Sequence, residues 1–407
     1  MKKLNKATGV LAAGFFINMC IGILYAWSVF KQSLVEQGWS NADASMPYTV
    51  ATICFAISLL VAGNLQDRMG PRKVLILGVV MVGIGMIVSS FATTPMTLLL
   101  SFGVITGCGI GFGYACLAPA AMKWFHPSKK GLVNGLIAAG FGLAAVYLAP
   151  LTSTLITNYG VNTSFLILGV GILVLAVPLA CTINNPPADY TPEAPAGYVA
   201  KKGAGDMNVG WREMVKTPQF YSLWLMYALA SSAGLMVIGN ITSIAINQSD
   251  LTQVAFLVVV LAIFNSGGRV AAGILSDKIG GLKTLMLAFI MQGINMMMFA
   301  TYNTEFTLMV GAAVAGVGYG TLLAVFPSIT ADYYGLKNYG GNYGVLYTAW
   351  GVSGFIGPVV AATAVDMTGN YVMAYTVCAV MLGVAVVLSV ITKPVKATET
   401  QEQQVAA

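Results

Sequence analysis

Apolar runs of roughly 20 residues recur along the 407-residue chain, and each is long enough to cross a hydrocarbon core of about 30 Å as a helix. Inside lipid each backbone N–H and C=O must find a partner, so a run of this length folds as an α-helix. The runs separate into twelve predicted spans, near 9–30, 45–66, 73–92, 97–122, 131–157, 163–183, 218–241, 253–275, 283–302, 306–329, 341–364 and 370–392. Only 8% of the residues are charged and 57% are hydrophobic, where a soluble domain carries about 25% charged residues. The expected fold class is an all-α polytopic membrane protein. Lys2, Lys3 and Lys6 precede an apolar run that continues past Phe30 without a small-residue cleavage site. That start reads as a first span, not as a removed signal peptide.

One long polar interruption divides the spans six and six. Residues 184–216 include NNPPADYTPEAPAGY and AKKGAG, whose proline, glycine and charge content predicts a flexible cytoplasmic linker. The expected organisation is an N-terminal six-helix bundle over 1–183, the linker over 184–216, a C-terminal six-helix bundle over 217–392 and a cytoplasmic tail over 393–407. Lysine and arginine test this topology separately, because loops rich in them stay cytoplasmic. With both termini inside, all 20 Lys and Arg except Lys31, outside, and Arg269, within a span, fall on the cytoplasmic side. The net charge of +6 then reflects membrane orientation, and no clustered soluble basic surface supports nucleic-acid binding.

An internal repeat joins the two halves. GNLQDRMGPRK at 63–73 follows the second span and GILSDKIGGLK at 273–283 follows the eighth, 210 residues later. Gly63, Gly70, Gly273 and Gly280 allow a tight turn packed against neighbouring helices, while Asp67 and Asp277 can cap backbone groups or meet basic partners at a helix end. Arg68, Arg72 and Lys278 complete the two loops as candidate cytoplasmic-gate residues. The six cysteines, at 20, 54, 108, 116, 181 and 378, fall inside spans without metal-like spacing and read as small buried apolar residues. The glycine run at 107–113 lacks the strand and soluble βαβ unit of a dinucleotide site. It reads as a small-residue ridge for helix packing. No metal, cofactor or catalytic cluster is expected, and the chain is not expected to be an enzyme.

The paired loops resemble the signature G-x-L-x-D-x-x-G-x-[RK]-[RK] of the major facilitator superfamily. The first copy matches it nearly throughout, and the second carries Gly281 and Leu282 where basic residues are frequent. The resemblance covers essentially the whole chain. It implies two pseudo-symmetric six-helix bundles rocking around a central site near the bilayer midplane. A narrower resemblance is to the oxalate/formate antiporter family and its monocarboxylate transporter relatives. It rests on GILYAWS at 22–28, Lys123-Trp124-Phe125, Lys130-Gly131-Leu132, Thr217-Pro218-Gln219-Phe220, Asn265 to Gly280, Phe326-Pro327-Ser328 and Asn342-Tyr343-Gly344.

Arg269 is the residue that demands a chemical explanation, because a cation in mid-span costs several kcal/mol unless it faces a polar interior and meets an anion. Asn265 stands four residues earlier on the same helical face, and Ser266, Gly267, Gly268, Ala271, Ala272 and Gly273 around it are small. No Asp or Glu lies near the middle of another span; Asp67, Asp250, Asp277, Asp332 and Asp366 all sit near ends. The planar guanidinium fork meets a carboxylate bidentately, so Arg269 is read as a carboxylate anchor. The bland alternative is a structural arginine satisfied by helix carbonyls or a partner acid.

The family resemblance sharpens the cargo. Oxalate-carrying members hold a second cation, a lysine in the eleventh helix shortly after an Asn-Tyr-Gly motif. That spacing from Asn342-Tyr343-Gly344 lands on Trp350, which is uncharged. A second carboxylate would stay uncompensated in low dielectric, which favours a monocarboxylate such as lactate, pyruvate, formate or acetate over oxalate. The same alignment nominates Tyr25, Tyr114, Tyr319, Tyr347 and Trp350 as a polar-tipped aromatic box, with Leu323 against the substrate's apolar end. Ordinary packing or an interfacial belt is the competing reading for each aromatic. The relatives' helix-eight Asp, which takes part in proton coupling, is replaced by Asn265, which cannot titrate. Proton symport is the expected mode, with anion exchange and uniport left open. His126, the one histidine, lies beside Lys123 after the fourth span and reads as a surface or gate residue. The expected partners are a small carboxylate, protons and the lipid bilayer. A single chain is the expected functional unit, in a cell membrane of the bacterial inner-membrane type. A non-transporting membrane sensor is the alternative from another class.

Overall fold

The computed structural model describes residues 2–187, 189–192, 209–249, 251 and 254–393. Most of the linker and nearly all of the tail predicted from sequence lie outside these residues. The described chain is helical: α1 Lys2–Ile21, α2 Trp27–Glu36, α3 Asn41–Met69, α4 Pro71–Ser89, α5 Pro95–Leu98, α6 Gly107–Met122, α7 Lys130–Thr182, α8 Trp211–Met214, α9 Pro218–Gln248, α10 Ala255–Ile279, α11 Gly281–Phe299, α12 Glu305–Tyr334, α13 Tyr339–Thr368 and α14 Val372–Ile391. A 3₁₀ turn, Ile23–Ala26, joins α1 to α2, and a π-helical stretch, Leu99–Thr106, joins α5 to α6.

Eleven of the resulting helical runs among the described residues are long and apolar enough to cross a membrane. One of them, α7, has 53 residues, or about 80 Å at 1.5 Å per residue, more than twice a hydrocarbon core. It breaks at Gly160, whose φ of 79° and ψ of 168° are not helical. The two parts correspond to the predicted fifth and sixth spans, which brings the long apolar helices among the described residues to twelve. Helix ends run past several predicted limits, α9 to Gln248 and α12 to Tyr334. The backbone ladder continues after the apolar run stops, because the hydrogen bonds do not depend on side-chain polarity.

The 210-residue repeat is visible in the backbone. Gly70 ends α3 with φ 82° and opens α4, and Gly280 ends α10 with φ 93° and opens α11. A left-handed residue serving both helices at once is where glycine is needed. Thr94 and Thr97 exchange reciprocal side-chain bonds at the start of α5, and Thr304 and Thr307 do the same at the start of α12. The positions differ by 210 in each case, and the capping boxes satisfy N-terminal amides at the same end of corresponding spans.

The chain divides into two compact units, Met1–Ala121 with Leu136–Asn185, and Met122–Gly135 with Pro186–Ala407. The loop after α6 and the first turns of α7 therefore pack with the second unit. There both Asp277 carboxylate oxygens accept backbone N–H groups at the start of α7, from Gly131 at 2.8 Å and Leu132 at 2.9 Å. An anion at a helix N-terminus is stabilised by the unpaired amides and the helix dipole. Lys130 pairs with Asp332 at 3.4 Å. Gly281, one of the departures from the signature, packs so closely on α12 that a Cβ there would overlap the Ile329 side chain. A side chain at that position would require Ile329 to shift its own.

Candidate functional site

In the second unit, α10 carries the Arg269–Asn265 pair, and α12 and α13 bring Tyr319, Trp350 and Tyr347 into a connected chain of contacts. Arg269 is fully buried, and its Nε donates to Asn265 Oδ1 at 3.1 Å. The amide acceptor is neutral, so this bond orients the guanidinium without bringing an opposite charge to it. Tight packing makes the pair possible. A Cβ on Gly316 would lie 2.5 Å from the Leu261 carbonyl oxygen, and one on Gly268 2.8 Å from Val317 Cα. At Gly320 a Cβ would overlap the Asn265 carbonyl oxygen and lie 3.0 Å from its Oδ1. Glycines let the backbones of α10 and α12 touch, as small-residue ridges do in membranes. At the start of α7, a Cβ on Gly135 would overlap the Arg269 carbonyl oxygen.

Next to Gly320, Tyr319 lays its ring on α9, where a Cβ at Gly234 would sit 2.6 Å from Cδ2. Its hydroxyl accepts from Trp350 Nε1 at 2.6 Å. Trp350 stacks on Tyr347 with ring centroids 5.1 Å apart, and Tyr347 in turn meets Tyr343 at 5.5 Å and Tyr227 at 6.2 Å. Leu323 is buried one turn beyond Tyr319, and Asn134 Nδ2 donates to the carbonyls of Ala324 and Leu323 at 2.7 and 3.4 Å.

The first unit holds its own aromatic group. Tyr25 sits in the 3₁₀ turn that interrupts the first span, where Gly22 packs so closely that a Cβ would overlap that of Ala144. Phe141 lies between the two nominated tyrosines, 5.6 Å from Tyr25 and 5.3 Å from Tyr114, with Phe55 5.7 Å from Tyr114. The three edge-to-face pairs have the geometry aromatic quadrupoles favour.

Several participants were absent from the sequence reading. Phe141 bridges Tyr25 and Tyr114, Phe55 packs against Tyr114 and Phe141, and Tyr227 supports Tyr347. The glycines at 316 and 320 set the α10–α12 crossing, and their four-residue spacing is a signal that was there to be found. His126 receives Ser128 N on Nδ1 at 3.3 Å, capping a short turn before α7.

The Major Facilitator Superfamily model matches residues 8–294 and 236–406 of the chain. Among curated relatives, an uncharacterised MFS-type transporter, YhjX, of Escherichia coli K12 is 29% identical over 82% of this chain and 82% of its own. The oxalate:formate antiporter of Oxalobacter formigenes is 29% identical over 87% of this chain and 85% of its own length. Monocarboxylate transporter 13 of Rattus norvegicus is 25% identical over 92% and 85%. The crystal structure of the E. coli fucose:proton symporter superposes with a TM-score of 0.73, at 13% identity over 94% of this chain and 98% of that one, a likeness of fold.

Proposed function

The chain belongs to the major facilitator superfamily, and from that premise we propose that it is a secondary active transporter of small monocarboxylates of the lactate, pyruvate, formate or acetate type. The observation that carries the reading is the fully buried Arg269, held through Nε by a neutral amide. A guanidinium in low dielectric gains most from an anion that meets its fork bidentately. On this reading the substrate's carboxylate is that anion, and alternating access of the two bundles carries it across. Both termini lie on the cytoplasmic side, as the distribution of Lys and Arg requires.

On this reading the cargo carries one carboxylate: among the described residues the buried cations of the second unit are Arg269 and Lys130, and Lys130 pairs with Asp332. The position where the oxalate-type pattern has lysine is Trp350, whose indole engages Tyr319 and Tyr347 instead. Exchange of an oxalate-type dianion is the second reading, and it is favoured by the similarity to the Oxalobacter formigenes antiporter. Proton symport is the proposed coupling mode. Asn265 does not titrate, so the proton travels with the substrate's own carboxyl or along a tyrosine-linked water path.

Proteoliposome uptake of labelled lactate, pyruvate, formate, acetate and oxalate, with and without a pH gradient, separates these readings. The expected result is saturable monocarboxylate uptake, accelerated by inward proton flow, with weak oxalate exchange. Strong oxalate exchange by the unaltered protein would overturn the one-charge argument. Trp350→Lys is expected to raise oxalate affinity by about tenfold, the scale of one added charge-assisted bond. Absence of any gain would show that Trp350 does not occupy the lysine's place on α13.

A further inference from the structure

We infer that Asn134 is a releasable latch of the transport cycle: its side-chain amide closes onto the backbone of α12 where Pro327 interrupts the helix ladder, and lets go when the cytoplasmic side opens. This role rests on the alternating-access part of the proposed function and is independent of which acid is carried. In a helix the carbonyl of residue i accepts from the N–H of residue i+4, and proline has no N–H. Pro327 lies inside α12, so the Leu323 carbonyl lacks its helical donor. Asn134 Nδ2 stands at that opening, 2.7 Å from the Ala324 oxygen and 3.4 Å from the Leu323 oxygen. Ser328 Oγ donates to the same Ala324 oxygen at 3.0 Å, and Phe326 stacks on Tyr227 at 4.2 Å. The Phe326-Pro327-Ser328 run thus acts as a unit that holds a broken turn ready for an outside donor.

The groups are buried: Asn134 is 2% exposed, Leu323 5% and Ala324 0%. A buried acceptor left without a donor is unfavourable, so the amide stabilises the form in which α7 and α12 touch. Once water reaches the two carbonyls it supplies the missing hydrogen bonds nearly as well. A bond of this kind holds firmly when dry and is given up readily when wetted.

The course of α7 makes the bond conditional on movement. Met122–Gly135 packs with the second unit and Leu136–Asn185 with the first, although α7 runs helical through that change as far as Gly160. Asn134 is therefore the next-to-last residue of the run that shares a unit with α12, on a helix whose longer part belongs to the other unit. A rigid movement of the first unit that carries α7 with it parts Asn134 from α12. Gly135, the next residue, lies so close to α10 that a Cβ there would overlap the Arg269 carbonyl oxygen. The same movement thus uncovers the helix that bears the carboxylate anchor.

Hydrogen exchange of the full chain in proteoliposomes, read by mass spectrometry without substrate, tests the latch. The first amides of a helix have no intrahelical partner, so the amides of Gly131 and Leu132 owe their protection to the Asp277 carboxylate that accepts from them. Their exchange therefore reports the undocked fraction of α7. Asn134→Leu keeps nearly the same shape and removes the donor. It is expected to speed exchange at the start of α7 about tenfold, the scale of one buried hydrogen bond, with exchange in α11 and α14 unchanged. Pro327→Ala returns an N–H to the Leu323 carbonyl, and in that background Asn134→Leu is expected to change the rate by no more than about twofold. An unchanged rate at the start of α7, a rise shared by α11 and α14, or the full tenfold step in the Pro327→Ala background would each overturn the latch. If Asn134→Leu fails to insert, Asn134→Ala carries the same comparison, and if Pro327→Ala fails, the contrast of α7 with α11 and α14 decides. An unaltered protein that takes up none of the acids of the panel would remove the transport reading itself. Uptake by the unaltered protein with unmoved exchange in Asn134→Leu removes only the latch.

Discussion

Arg269→Ala is expected to abolish saturable carboxylate uptake, a loss of more than about a hundredfold, while the protein still inserts and folds. Truncating one partner of a desolvated, hydrogen-bonded charge pair costs about 2–5 kcal/mol, and about 1.4 kcal/mol is a factor of ten. On the proposed reading the other partner is the substrate, so the whole loss falls on binding. Folding is spared because alanine removes a cation whose burial in mid-span is itself expensive, and Asn265 Oδ1 loses one bond from Arg269 Nε. Arg269→Lys is expected to fail nearly as badly. Lysine keeps the charge, but an ammonium cannot donate sideways to Asn265 and present a planar fork at once. Initial rates in proteoliposomes, normalised to the inserted protein, measure both variants. Unchanged uptake by Arg269→Ala would overturn the anchor.

What the sequence revealed and what it concealed follow from the same physics. Lipid forces each crossing to satisfy its own backbone, so apolar length alone located the twelve spans. Even the merged α7 splits at Gly160, in the gap the apolar runs leave between 157 and 163. Gly70 and Gly280 were legible because a left-handed turn shared by two helices selects glycine, and the 210-residue spacing tied them together. The matching capping boxes at Thr94 and Thr304 carry the same spacing, but Thr-x-x-Thr is too common a pattern to stand out by itself. Arg269 and Asn265 were legible as one helical face. Contacts between helices were not, because they depend on crossing register. The Trp350–Tyr319 bond requires α12 and α13 to meet at one level, and the Phe141 bridge requires the first and fifth spans to do so. Gly281 was visible as a departure from the signature, but its reason, the Ile329 side chain on α12, lies 48 residues away along the chain.

Gly320 shows how far the site depends on such register, and Gly320→Val is expected to be the most damaging change outside the ligand-binding groups. A Cβ there would overlap the Asn265 carbonyl oxygen, and a backbone oxygen in a helix cannot rotate away as a side chain can. Relief requires α10 and α12 to separate or slide, and overpacking of this kind costs about 1–3 kcal/mol. The movement also shifts Asn265 Oδ1, which holds the Arg269 Nε. Gly320→Ala, the milder variant, should therefore lower thermal stability in detergent and raise the KM for the carboxylate together. Gly267→Ala is the matched control, since it lies in the same α10 segment and a Cβ there meets nothing within 4 Å. It should leave both measurements unchanged. Loss of stability in both variants would indicate a general intolerance of α10 and α12 to substitution. A Gly320→Ala protein with unaltered melting and uptake would mean that Arg269 does not depend on the close α10–α12 crossing for its orientation.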